Sequence, residues 1–180
     1  MDDYRGVRLP LPHGEGRPAA IAAAYRPALA VALGELHAAA VKLNRLDPET
    51  TEIVRLRCAV WHNCRRCRSL RAVSDGERVL DEAIAEKVSD YESSDLSERH
   101  KVALRLADAF MTIPGAIGES LRRQVREHFS EDETVEMLLD IVAWTQQKPQ
   151  VSLALDIPPS EISSLEFDDT GHHLIGRTAV

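Results

Sequence analysis

Aromatic residues are scarce, at 4% of 180. That scarcity argues against a β-sandwich or barrel, whose strands draw on aromatic and β-branched side chains. Cysteines number three, an odd count that does not make a disulfide framework. Excess positive charge is missing too: the formal net charge is −7. An acidic chain has no electrostatic footprint for DNA or RNA, so no nucleic-acid partner is expected. No apolar run approaches a membrane span, so no membrane association is expected. Met1-Asp2-Asp3 lacks the basic start and apolar stretch of a secretory signal. The expected location is therefore cytoplasmic.

What is present is ordinary globular composition, 44% apolar and 28% charged, with abundant Ala and Leu. The length suits one domain with a substantial core. Residues 1–17 carry Pro10, Pro12, Gly14 and Gly16 and read as a flexible N-terminal arm. From Ala19 to Leu46 the chain is Ala-rich and helical in propensity, with Pro27 interrupting or restarting it. Asp47-Pro48-Glu49 is a strong helix start, and Ile53, Val54, Leu56, Ala59 and Val60 give the following helix an apolar face. Asn63 is placed to cap a new helix beginning at Cys64, which Ser74-Asp75-Gly76 ends before another runs to about Lys87.

Ser89 to Ser94 reads as a polar loop. Leu96-Ser97-Glu98 opens an amphipathic helix that Pro114-Gly115 ends, and Ile117 to Phe129 repeats the pattern. Ser130 and Glu133 have the spacing of a capping box. The helix after them meets Pro149, which should kink or split it, and Pro158-Pro159 closes the helical region. The tail around Asp169-Thr170-Gly171 fits either a short hairpin or a mobile end. The reading is an all-α, single-domain helical bundle of about seven helices over residues 18–160, with a C-terminal tail over 161–180.

The chemistry gathers at Cys64-Arg65-Arg66-Cys67. A C-x-x-C in a reducing compartment is more often catalytic or metal-binding than structural. Cys64 in the first turn of a helix puts Cys67 on the same face, where the pair can close a disulfide. The helix start and the nearby Arg65, Arg66, Arg68 and Arg71 favour a thiolate. A thiolate attacks peroxides and disulfides. Two readings compete: half of a zinc site, with His62 and Cys58 as neighbours, for which no second pair with usual spacing completes four ligands, and a pair of inert core cysteines, with which the surrounding arginines fit poorly. Cys58 lies on an apolar helix and reads as a small core residue. His37, His100 and His128 read as surface or packing residues, and His172-His173 as an isolated pair.

The stretch from Glu52 to Arg71 resembles the core of the alkylhydroperoxidase D-like branch of the carboxymuconolactone decarboxylase family. That core has a glutamate, about a dozen residues, a C-x-x-C, and a histidine four residues after the second cysteine. Glu52 stands twelve residues before Cys64, whereas Arg71 occupies the histidine position. Ala103-Leu104-Arg105-Leu106-Ala107-Asp108-Ala109, Phe129-Ser130-Glu131 and Leu155-Asp156-Ile157-Pro158 extend the likeness over roughly residues 20 to 160.

The resemblance implies a helical homo-oligomer, a trimer or hexamer, and a cofactor-free antioxidant peroxidase acting on hydroperoxides. It makes Cys67 the attacking thiol, Cys64 the resolving thiol and Glu52 part of a proton relay. A lipoyl-bearing or thioredoxin-like protein would be the reductant. Arginine stays protonated and cannot relay a proton, though Arg71 can hold a thiolate or pair with Glu52. His62, just before the dithiol, is the nearest alternative base. A lyase acting on a lactone or carboxylate, with arginines binding the acid, is the first alternative function. A non-enzymatic redox sensor is the second.

Overall fold

A computed structural model describes residues 26–42, 45–145, 148–153, 156, 158, 161–167 and 173–177. The expected N-terminal arm lies outside the described residues, as does His172. Helix α1 spans Pro27–Lys42, so Pro27 starts a helix. Asp47 caps α2, Pro48–Trp61, by accepting from the Thr50 N–H and hydroxyl, each at 2.8 Å. Helix α3, Arg65–Arg68, is one turn long. Helix α4 spans Glu82–Lys87 and runs into a 3₁₀ helix, Val88–Ser93, where a loop was expected.

Ser97 caps α5, Glu98–Thr112, which ends just before Pro114. Helix α6 spans Glu119–His128 and α7 spans Glu131–Thr145. The capping box forms: the Ser130 N–H donates to Glu133 at 2.7 Å, and the Glu133 N–H donates to Ser130 Oγ at 3.2 Å. Helix α8 spans Lys148–Ser152 and carries Pro149 in its first turn, and residues 146–147 before it lie outside the described residues.

Helix α2 is the hub of the bundle. Val54 and Cys58 pack with Val102, Leu106, Phe129, Met137, Ile141 and Trp144. Ile53 and Leu56 pack with Leu80, Val88, Tyr91 and Leu104 on another side. Being covered on several sides, α2 buries polar residues as well: Thr50, Glu52 and Arg55 are all inside. Arg57 ties it to α5 through a two-bond pair with Asp108 at 2.6 and 2.8 Å.

Three expectations around the dithiol are corrected. The helix read from Cys64 to Ser74 stops at Arg68, and strand β1, Leu70–Ser74, follows. Leu70, Ala72 and Val73 suit a strand as well as a helix, and pairing partners distant in sequence decided the choice. Asp75 and Gly76, at φ of 53° and 81°, do not start a helix but make the hairpin turn to β2, Glu77–Arg78. Two successive positive φ values are what an Asp-Gly hairpin turn supplies. Third, Asn63 is not the cap. It sits at φ 49° in the junction between α2 and α3, and Cys64 is the cap residue.

The tail adds strands β3, Ser163–Phe167, and β4, His173–Arg177. The sheet order is β2-β1-β3-β4, with β1 and β3 parallel (Leu70 opposite Ser163) and β3 and β4 antiparallel. A small sheet therefore sits beside the helical bundle, and it is built on the strand that follows the dithiol.

Candidate functional site

The site begins where α2 ends. His62 closes the helix, its N–H bonded to the Cys58 carbonyl at 3.0 Å. The left-handed residue Asn63 then turns the chain so that Cys64 caps α3. Cys64 and Cys67 form a disulfide. The Cys67 N–H points at Cys64 Sγ, 3.3 Å away. Both cysteines are buried, at 0% and 3% exposure, and Ala59 and Val151 pack against them. The expected dithiol at a helix start is present, on a far shorter helix.

Glu52 lies on the same helix, about two and a half turns before its end, fully inside the protein. Its partner is Arg55, not Arg71. Arg55 Nε is 2.5 Å from Oε2 and Nη2 is 2.7 Å from Oε1. Oε1 also accepts the Ala72 N–H at 3.0 Å. Arg55 uses its remaining donors on the backbone around the dithiol turn: Nη1 donates to the Cys67 carbonyl at 3.0 Å and Nη2 to the Leu70 carbonyl at 2.8 Å. One buried guanidinium thus joins the glutamate to the end of the dithiol helix and the start of β1. Its fork geometry permits this, and a lysine could not make all four bonds.

Arg71 is placed elsewhere. It lies on β1 and pairs with Glu82 at 2.9 and 2.5 Å. Its Nη1 donates to the carbonyls of Arg68 and Leu70 at 2.7 and 2.9 Å. It holds the strand to α4, and the Glu82 carboxyl is lowered by its bonds to Arg71. The suggested Arg71–Glu52 pair does not form, because Arg55 already occupies both carboxylate oxygens.

His62 is half-buried, and its Nε2 is buried with no hydrogen-bond partner among the described residues. Burial, aided by the Lys148 charge, pushes its imidazole down to about 4. It is neutral at physiological pH. Cys58 is buried in the core, and desolvation pushes its thiol up to about 12, which leaves it unreactive as the sequence indicates.

Two residues escaped the sequence reading. Arg55 was not singled out; its spacing of three from Glu52 was the available signal. Asp156 is fully buried and accepts from Arg65 three times, from the backbone N–H, Nε and Nη2, each at 3.1 Å. It anchors the first residue of the dithiol helix from ninety-one residues away, so no local pattern announces it. Arg65 is accordingly an anchored residue and not merely part of a solvated face.

No family model matches the chain. An uncharacterized protein of Mycobacterium tuberculosis, in strains CDC 1551 and H37Rv, is 40% identical over 121 residues. The match takes 67% of this chain and 43% of the relative, so the chain spans less than half the length of the curated relatives it matches. Among solved structures, an Agrobacterium tumefaciens protein of unknown function, suggested to be the antioxidant defence protein AhpD, superposes with a TM-score of 0.61. It is 21% identical and covers 78% of this chain and 97% of its own.

A peroxidase-related protein of Ralstonia eutropha with an alkylhydroperoxidase AhpD core also gives 0.61, at 16% identity, over 79% of this chain and 82% of its own. A cysteine-to-alanine variant of the debrominase Bmp8, in complex with 2,3,4-tribromopyrrole, gives 0.61 at 17% identity, over 85% and 78%. The chain has the AhpD-like helical fold.

Proposed function

We propose that the protein is a thiol-dependent peroxidase of the alkylhydroperoxidase D-like branch. The observation that carries this reading is the Cys64–Cys67 disulfide at the turn into α3, within a fold shared with AhpD-like proteins. In the reduced protein the Cys67 thiolate attacks the distal oxygen of a hydroperoxide and the O–O bond breaks. The alkoxide leaves as the alcohol after taking up a proton, and Cys67 becomes a sulfenic acid. The Cys64 thiol then condenses with it, water leaves, and the disulfide forms. Two electrons and two protons from a dithiol reductant, a lipoyl-bearing or thioredoxin-like protein, restore both thiols.

Glu52 is assigned to holding Arg55 and not to carrying a proton, because both its oxygens are engaged. His62, just before the dithiol, is neutral and free to accept a proton, but with its imidazole held down to about 4 it is a weak base. A homo-oligomer also belongs to this reading. Val135, Leu139 and Val142 recur along one exposed side of α7, an apolar stripe suited to a second copy.

Mass spectrometry after one exposure to an organic hydroperoxide and a sulfenic acid trap tests the roles. Cys64→Ser should accumulate trapped sulfenate on Cys67, and Cys67→Ser should not. Steady-state consumption with dithiothreitol should vanish in Cys67→Ser. Unchanged turnover in that variant would overturn the proposal.

The burial of both sulfurs favours a second reading, a redox sensor that cycles between dithiol and disulfide without sustained turnover. Complete oxidation of the wild-type dithiol by one equivalent of peroxide, with no catalytic consumption in the presence of either reductant class, would select it.

A further inference from the structure

We infer that Arg55 is a positioning residue that sets the redox equilibrium of the Cys64–Cys67 pair, with Glu52 as its counterweight. The inference rests on the dithiol being redox-active, as in the proposed function, but not on hydroperoxide being its substrate.

Arg55 is 3% exposed and Glu52 2%, so their charges act through protein and not through water. The guanidinium reaches the dithiol turn directly, since Nη1 holds the carbonyl of Cys67 itself. That carbonyl belongs to the last turn of α3, where the ordinary helical partner four residues on is missing and the Ser69 cap N–H is shared between it and the Arg66 carbonyl. The other charged groups around the turn are committed to partners or lie farther out. Arg65 is held by Asp156. Arg71 is held by Glu82. Arg68 reaches the side-chain oxygen of Asn63 at 3.5 Å. Lys148 lies by His62, which is neutral, and Arg66 is partly exposed. Arg55 is the buried cation bonded to the carbonyl of Cys67 itself, and Glu52 is the buried anion paired with it, whereas the buried Asp156 is paired with Arg65.

Reducing the disulfide takes two electrons and either two protons or, when one sulfur stays ionised, a single proton. A nearby positive charge stabilises the thiolate form and thereby the reduced state; a nearby negative charge opposes it. The pair therefore holds the equilibrium between two opposed fields. Removing Glu52's charge leaves Arg55 unopposed and favours the dithiol. Removing Arg55's charge leaves a buried carboxylate and favours the disulfide. A role limited to holding the fold predicts no such opposition of sign.

The test is equilibration of the full-length protein in glutathione redox buffers, with the dithiol fraction read by alkylation and mass spectrometry. Glu52→Gln should shift the equilibrium about tenfold toward the dithiol, equivalent to about 30 mV, and Arg55→Met about tenfold toward the disulfide. Arg55→Lys keeps the charge and should remain within about threefold of wild type. Should Arg55→Met not fold, Glu52→Gln and Arg55→Lys decide the matter between them. Shifts of the same sign in Glu52→Gln and Arg55→Met, or a Glu52→Gln protein at the wild-type equilibrium, would overturn the inference. A wild-type protein that consumes no hydroperoxide, while the two variants still move in opposite directions, removes the peroxidase reading and leaves this one standing.

Discussion

Arg55 and Glu52 form a buried two-bond ion pair three residues apart on one helix, with contacts of 2.5 and 2.7 Å. The same guanidinium holds the carbonyls of Cys67 and Leu70, so the pair is part of the floor under the dithiol. Its position explains why Glu52 is paired although Arg71 is held by Glu82.

Breaking this pair should be costly. Removing one partner of a buried pair leaves an uncompensated charge and costs about 3–5 kcal/mol. Arg55→Met should lose stability on that scale, and it also strips two backbone carbonyls of their donor. Arg71→Met should lose less, because its partner Glu82 is one-third exposed. Urea unfolding of the two variants, with both proteins oxidised, compares them directly.

A histidine at residue 71 should not by itself create a relay to Glu52. Arg71→His places an imidazole on β1, but both Glu52 oxygens remain held by Arg55 and the Ala72 N–H. Hydroperoxide turnover should stay within about threefold of wild type, far below the roughly 10²–10⁴-fold of general acid–base help. A gain of a hundredfold would show that Glu52 is free to exchange protons.

His62 should make stability fall in acid. Its imidazole is pushed down to about 4 in the folded protein, against an ordinary 6.5. Between those values the unfolded chain binds a proton that the folded one does not, so stability rises with pH across that window. His62→Asn should flatten this part of the profile. Nuclear magnetic resonance titration of the His62 ring should show no protonation above about pH 5.

Asp140 should act in the opposite sense. It is 1% exposed on α7, neither carboxyl oxygen has a hydrogen-bond partner among the described residues, and burial together with Glu136 pushes it up to about 8. The folded protein keeps the proton that the unfolded chain releases near 4. The stabilising contribution is complete below about pH 4 and is lost as pH rises through 8. Asp140→Asn should raise the melting temperature at pH 8 more than at pH 4. Equal shifts at both pH values would mean that Asp140 is ionised throughout.

Much of the bundle was legible because its signals are local. Asp47, Ser97 and Ser130 each sit three residues before the N–H that they cap, and all three caps form. The apolar spacing on α2, α5 and α7 likewise marks helices wherever they pack. The stretch after Cys67 was not legible in this way. Leu70 to Ser74 became a strand because Ser163 to Leu165 lies alongside it, a partner about ninety residues distant.

The candidate site divides along the same line. By itself, the sequence determined that two cysteines three apart stand at a helix start, with a glutamate twelve residues earlier. Those facts follow from spacing and short-range geometry. Only the tertiary structure decided which arginine meets Glu52, that Arg71 is spent on Glu82, and that Asp156 anchors the dithiol helix. A guanidinium reaches whatever acceptor the packed chain brings near it. Once buried, it must satisfy its charge and donors there, and that choice is made by the fold, not by the neighbouring letters.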